Sequence, residues 1–321
     1  MPGEFELIER YFTYPAPGAV LGVGDDAALL RAERGMDIAV STDMLVCGRH
    51  FFPDADPLRL GHKALAVNLS DMAAMGATPR WVTLSVALPR IDAAWVRSFM
   101  RGFMRLARRH GTDLVGGDTT RGPLTLCVQI MGVVPAGSAL RRDGARAGDD
   151  VWVSGTLGDA ALAVAAANNQ VRLSPGERER VARRLDLPTP RLALGQALRG
   201  IARSAIDISD GLVGDLGHIC ERSRLAAEVD LERVPASTIV QRCGNVRLAR
   251  NAMLSGGDDY ELCFTAPPAA RADVEQAARS VRVRVRRIGR MKKAGADGAQ
   301  VTVLSSGRPL KLARAGYDHF R

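Results

Sequence analysis

Lysine is scarce in this chain. Among 321 residues the only lysines are Lys63, Lys292, Lys293 and Lys311, so the net charge of +9 rests on arginine. None of them stands in a GxxxxGK[ST] loop, which excludes a P-loop nucleotide site, and the HRD and DFG signatures of protein kinases are missing too. Long apolar runs are also lacking. Nothing approaches the roughly 18 residues that suggest a membrane helix, so no membrane partner is expected. The amino terminus, MPGEFELIER, has no basic region followed by an apolar one, so no signal peptide and a cytoplasmic location are expected. Cysteines are few and scattered: Cys47, Cys127, Cys220, Cys243 and Cys263 form no CxxC pair. That argues against a zinc site or a disulfide framework and for reduced cysteines in a core.

What is present suits a soluble globular protein, with 46% apolar and 5% aromatic residues and a length that allows two domains. The stretch 135–149, PAGSALRRDGARAGD, is rich in Gly, Ala and Arg and carries little periodicity. It reads as the boundary, giving domains 1–137 and 150–321 with a linker at 138–149. A positive balance can mark a nucleic-acid binder, a handler of small phosphates or simply a solvated surface. The alternating stretch 281–287, VRVRVRR, followed by Lys292 and Lys293, is where a nucleic-acid reading would have to stand. No aromatics interleave with its charges, and a charged edge strand explains it as well, so no nucleic-acid partner is expected.

The acids carry more information. Residues 41–76 begin where the strand pattern of 36–40 runs out and end in a helix-like run that holds Asn68, Ser70 and Asp71. Asp43, at the end of the expected strand, and Asp71, among Leu69, Met72 and Ala73, are both candidates for burial. A carboxylate in such surroundings protonates, pairs, is capped by backbone amides or binds a cation. Residues 20–30, VLGVGDDAALL, contain a GxGxxA pattern, but Asp25 and Asp26 would repel a pyrophosphate unless a cation lay between them. Three further turns mix glycine with acid: GGDTTRG at 116–122, after an expected short strand at 113–115; ISDG at 208–211, between a strand and a helix; and SGGDDYELCF at 255–264. In the second of these Asp207 and Asp210 flank Ser209, at a spacing that lets both acids face one ion, while Ser209 can cap the helix. Arg142, near the domain boundary, can clamp a phosphate. Oxygen ligands without clustered His or Cys select hard cations, Mg²⁺ first, and several such ions would let the pocket hold a highly anionic substrate such as ATP.

Seven stretches, GVGDDAALL, STDMLVCGRHF, KALAVNLSDMAAMGA, GGDTTRGPL, AIDISDGLVGDLGHI, GGDDYELCFT and GYDHF, in this order and across nearly the whole chain, resemble the thiamine-monophosphate kinase family. That family belongs with aminoimidazole ribonucleotide synthetase and selenophosphate synthetase. The resemblance implies a two-domain α/β (α+β) fold with mixed sheets flanked by helices, and a cytoplasmic homodimer. It also implies ATP-dependent phosphorylation of thiamine monophosphate to thiamine diphosphate, the last step of thiamine diphosphate biosynthesis. The first domain would bind metal and the ATP phosphates and dimerise, and the second would complete the cleft for ATP and substrate. By motif, Asp26, Ser41, Thr42, Asp43, Asp71, Asp118, Asp207 and Asp210 would hold Mg²⁺, with Asp43, Asp71, Asp118 and Asp210 as the catalytic acids. Gly117, Asp118, Arg142 and Ser209 would contact ATP, and His50, Asp258 and Tyr317 would contact thiamine monophosphate. The family usually carries GGED where this chain has Gly256-Gly257-Asp258-Asp259, so Asp258 keeps the charge with a shorter reach. The alternatives are another ATP-dependent reaction of the same superfamily and a basic binding protein that has lost catalysis.

Overall fold

The computed structural model describes residues 4–23, 27–296 and 298–317. Asp25 and Asp26 lie outside the described residues, as does Asp318 onward. The chain divides into two compact units, residues 1–72 with 77–137, and residues 73–76 with 138–321. Among the described residues no helix is long and apolar enough to cross a membrane.

The first unit comprises α1 (Glu4–Tyr11), β1 (Met36–Val46), α2 (Pro57–Ala74), β2 (Thr78–Leu88), α3 (Ala93–Arg109), β3 (Asp113–Arg121) and β4 (Thr125–Pro135). Its sheet runs β1-β4-β2-β3, antiparallel except for the parallel β2–β3 pair. Alternation in β2 and β4 sends Val82, Leu84, Val86, Leu126, Val128 and Ile130 to one buried face. On β4, an added Cβ at Gly132 would sit 2.8 Å from Met72 Sδ, which shows how tightly α2 lies on the sheet. Part of the opposite face is covered by a small cluster in which Trp81, Val115 and Val133 pack with Ala16, Ala19, Ala28 and Leu30. Asp92 caps α3 through the N–H groups of Ala94 and Trp95, and Arg101, Arg105, Arg108 and Arg109 form the exposed basic face that its spacing predicts.

The second unit comprises β5 (Asp150–Ser154), α4 (Asp159–Ala167), α5 (Pro175–Asp186), α6 (Leu192–Ala197), β6 (Ser204–Asp207), α7 (Leu212–Ser223) and β7 (Leu225–Asp230). It continues with α8 (Thr238–Gln241), α9 (Val246–Ser255), β8 (Leu262–Ala266), α10 (Arg271–Ser280), β9 (Val285–Lys293), β10 (Val301–Ser305) and β11 (Arg308–Pro309). The sheet order is β11-β10-β7-β9-β5-β8-β6, mixed because β7 and β10 are parallel. Leu212, Leu216 and Ile219 of α7 pack on Val151, Val153, Ile206 and Ile288 of this sheet.

Four local expectations are corrected. β1 continues to Val46, so Asp43 is in mid-strand and not at its end. β3 runs from Asp113 to Arg121, so Gly117 to Thr120 are strand and not a turn. The alternating valine–arginine stretch becomes strand only from Val285, and β9 is an interior strand between β7 and β5, where Arg287 reaches the buried Asp150. The five cysteines are free thiols, but only Cys220 and Cys263 are buried.

Candidate active site

In the first unit, Ser41 and Asp43 stand on the face of β1 that continues the buried rows of β4, opposite Ile130 and Val128. The Ser41 hydroxyl donates to Asp71 Oδ2 at 2.5 Å, which joins β1 to α2. Asp43 is two residues along on the same face, about 7 Å further down the strand. Thr42 points to the other face and accepts from Gln129 Nε2 at 3.3 Å. The loop after β1 turns on Gly48, whose φ of 78° is the left-handed region that glycine adopts without strain. His50 Nδ1 accepts the Val46 N–H at 3.0 Å, and a backbone N–H can only donate, so the ring proton is on Nε2. Lys63, buried on α2, donates to the His50 carbonyl at 3.3 Å.

The sheet keeps Asp118 away from this group. Asp43, Val128, Leu84 and Gly117 form one row across the four strands, and Asp118 is one residue beyond it. Three strand spacings, about 14 Å, therefore separate β1 from β3, and the side chains of Asp43 and Asp118 leave opposite faces. Asp118 is exposed and accepts the N–H of Thr119. The next residue back, Gly117, is glycine for a local reason: a Cβ there would come within 1.9 Å of the Leu84 carbonyl oxygen.

In the second unit, three separate segments converge. Asp207 ends β6, nearly buried, and Gly211 opens α7 with φ 121°. The Asp258 N–H donates to the Ser209 carbonyl at 2.7 Å, the Tyr260 N–H to the Ile208 carbonyl at 2.8 Å, and the Tyr317 N–H to the Asp210 carbonyl at 2.9 Å. Ser209, Asp210, Asp258 and Tyr317 are thus brought together by backbone bonds. Each glycine is demanded by the neighbouring turn, since a Cβ at Gly211 would stand 2.7 Å from Ser255 and one at Gly257 would stand 2.5 Å from the Ser209 carbonyl. Asp258 and Tyr260 both have positive φ, 59° and 50°, a strain that the packed turns hold in place. Asp210 and Tyr317 line a cavity of about 620 Å³ along α7. Arg142 is placed at the start of a single 3-10 turn, where its carbonyl accepts from Ser223.

Several residues that matter here were not singled out in the sequence. Asp215 accepts the N–H groups of Ser209, Asp210 and Gly211 on one oxygen at 3.0, 3.1 and 3.1 Å. Burial, and then the charge of Asp210, push its carboxyl up to about 7, against the three N–H groups that favour the ionised form. Asp259 accepts the Gly158 N–H, and burial raises its carboxyl well above the usual range. Glu261 is buried between Ser154, Arg184 and Arg191. Of the three acids in GGDDYEL, therefore, Asp258 alone joins the converging turns, and the other two secure the fold. Periodicity carries no signal for such partners, which come from distant elements.

Among the described residues no three His, Cys, Asp or Glu side chains gather as a ready metal site. What the chain offers is oxygen: Ser41 with Asp71 and Asp43 in one unit, Asp207 and Asp210 in the other. Asp207 is buried and the others are half-buried, and such carboxylates and hydroxyls suit Mg²⁺ rather than zinc or copper.

Two family models match, the AIR synthase related protein N-terminal domain over residues 24–134 and the C-terminal domain over residues 146–302. The chain is 45% identical over 322 residues to thiamine-monophosphate kinase of Escherichia coli (strain K12), covering 99% of this chain and 98% of that one. A crystal structure of thiamine-monophosphate kinase from Stenotrophomonas maltophilia K279a superposes with a TM-score of 0.85 at 45% identity, over 94% of this chain and 96% of that one. A second solved structure, described as AaThiL complexed with AMPPCP and TMP, matches with a TM-score of 0.77 at 28% identity, over 99% and 97%.

Proposed function

The chain belongs to the thiamine-monophosphate kinase family, and we infer from this that it transfers the terminal phosphate of ATP to thiamine monophosphate, giving thiamine diphosphate and ADP. The observation that carries the reading is 45% identity sustained over the whole length of the chain. The convergence of Ser209, Asp210, Asp258 and Tyr317 on one set of backbone bonds supports it.

In this reading Ser41, Thr42, Asp43, Asp71, Asp118, Asp207 and Asp210, with Asp26, hold Mg²⁺. Gly117, Asp118, Arg142 and Ser209 serve ATP, and His50, Asp258 and Tyr317 serve the acceptor. When bound, the ions offset the repulsion between two anionic substrates and align them. More than one Mg²⁺ is proposed because the acids assigned to metal are many and stand in both units. His50 offers Nε2–H as a donor to the acceptor, and Asp210 and Tyr317 bring an acid and a ring to one cavity. The nucleophile is a phosphate oxygen with a second pKa of about 6, already ionised near neutrality. No side chain has to remove a proton, so transfer is direct and in line, without a phosphoenzyme.

The protein also acts as a homodimer in this proposal. β1 is an outer strand of 11 residues that leaves Ile38, Val40 and Met44 exposed at 51%, 58% and 57% on the face away from α2. An open apolar strand edge of this length is normally covered.

The test is product analysis with Mg·ATP and thiamine monophosphate, free thiamine or no acceptor. Thiamine diphosphate and ADP are expected together with the monophosphate only. ATP consumption without a thiamine product would assign a sister reaction. Asp43→Ala and Asp71→Ala are each expected to lower turnover by at least ~100-fold with the melting temperature little changed; turnover near wild type in both would sink the metal assignment.

A further inference from the structure

Apart from the acids, the second unit holds a basic cavity of about 530 Å³. Arg247, Arg250 and Asn251 of α9 form one wall, and Lys311, Leu312 and Ala313, after β11, form the other. The charge is one-sided. Residues 241–257 include Arg242, Arg247 and Arg250 and no acid; residues 306–317 include Arg308, Lys311 and Arg314 and no acid.

Arg247 and Arg250, three apart on one helix, share a face and repel each other. Among the described residues no acceptor or acid meets the side chains of Arg247, Arg250 or Lys311, and Arg250 Nε is buried with no acceptor at all. A buried guanidinium N–H left unbonded is a cost that folded proteins normally avoid. Here it is joined to the mutual repulsion of three cations around a hollow. An anion with several oxygens relieves both, because guanidinium groups bind such oxygens with charge-assisted hydrogen bonds.

We propose that this cavity is an anion site that takes a phosphate or diphosphate group, separate from the acids of the reacting centre. The ligand is small, because the site is a hollow rather than a track and, among the described residues, no aromatic ring lines it for stacking bases.

Its position gives it a consequence. α9 ends at Ser255, directly before Gly256, Gly257 and Asp258, and the other wall runs on from Ala313 to Tyr317. The Ser255 hydroxyl donates to the Arg314 carbonyl at 2.7 Å, tying the two walls together beyond the cavity. An anion held between α9 and Lys311 fixes both segments, and with them Asp258 and Tyr317. That coupling rests on the assignment of those two residues to the acceptor; the anion site does not.

The experiment is calorimetric titration of the full chain with inorganic diphosphate in EDTA, without nucleotide or thiamine compound. No divalent ion is then available to draw the anion to the acids, and the result stands whether or not the kinase assay succeeds. One binding site is expected, at least tenfold weaker in the triple variant Arg247→Ala, Arg250→Ala, Lys311→Ala. The single variant Arg250→Gln, which keeps most of the side-chain volume, is expected to weaken binding severalfold and decides the matter if the triple variant does not fold. Absence of diphosphate binding in the wild type, or equal binding in the folded variants, overturns the proposal.

Discussion

A carboxylate oxygen that accepts three backbone N–H groups fixes the peptide planes around it, and Asp215 does this for Ser209, Asp210 and Gly211. Removing it leaves three donors without this partner, that of Gly211 buried and those of Ser209 and Asp210 part-buried, in the turn that presents Asp210. Asp215→Ala is therefore expected to cost about 3 kcal/mol of stability, measured by urea unfolding, and to lower turnover at least tenfold. Asp215→Asn keeps an acceptor oxygen and sheds the charge that burial and Asp210 oppose, so it should stay within about 1 kcal/mol of wild type and keep most of the activity. Equal, wild-type turnover in both variants would show that the turn does not depend on this acceptor. At this scale the sequence was legible where chemistry repeats: Ser209, Asp210 and Asp258 declare themselves as acid or hydroxyl beside glycine, and the structure brings them together. Asp215 also follows a glycine, Gly214, but inside a helix pattern and not between two elements. It is one acid in a helix, and its partners become visible only when the turn closes on it. Lys63 and Glu261 were missed for the same reason, since a buried charge is explained by residues far away in the chain.

At the scale of the element, α2 matters most, because it carries Lys63 and Asp71 and must lie at a fixed depth. Its neighbour α3 comes unusually close. A Cβ at Gly61 would sit 2.0 Å from the Phe99 carbonyl oxygen, and one at Gly102 would sit 1.9 Å from that of Leu58, so the two helices meet backbone to backbone. Gly61→Ala is expected to push them apart and to cost about 3 kcal/mol, with a loss of activity as Asp71 shifts from Ser41. Gly176→Ala in the first turn of α5 is the control. Nothing lies within 4 Å of its Cβ, so it should be neutral or slightly stabilising. A Gly61→Ala protein as stable as wild type in urea would contradict the close crossing. Periodicity revealed both helices and the exposed arginine face of α3, because burial writes itself into spacing. It could not reveal the crossing, since glycine in a helix is silent about what approaches it. Strand ends were misjudged where glycine and acid looked like a turn: at β3 the glycines serve the contact with β2, and the strand simply continues.

At the scale of the whole molecule the question is what covers β1. Seen from sequence, its Ile38, Val40 and Met44 are ordinary strand residues, and only the sheet order shows that, among the described residues, no strand lies beyond β1. The seven-stranded order of the second unit was equally hidden. It follows from β7, β9 and β10 pairing out of chain order, and it turns an apparent edge into an interior strand. For β1, exposure of three large apolar side chains in one row, on a strand with one open edge, is unfavourable in water and favours pairing with another copy. Val40 is the most exposed of the three at 58%. Val40→Glu places a charge in that row without touching the face that holds Ser41 and Asp43, so the fold of the unit should survive. The expected outcome is a dimer for the wild type and a monomer for Val40→Glu in sedimentation velocity at micromolar concentration, with the far-UV circular dichroism unchanged. A wild type that sediments as a monomer, or a Val40→Glu variant that remains fully dimeric, would move the interface away from β1.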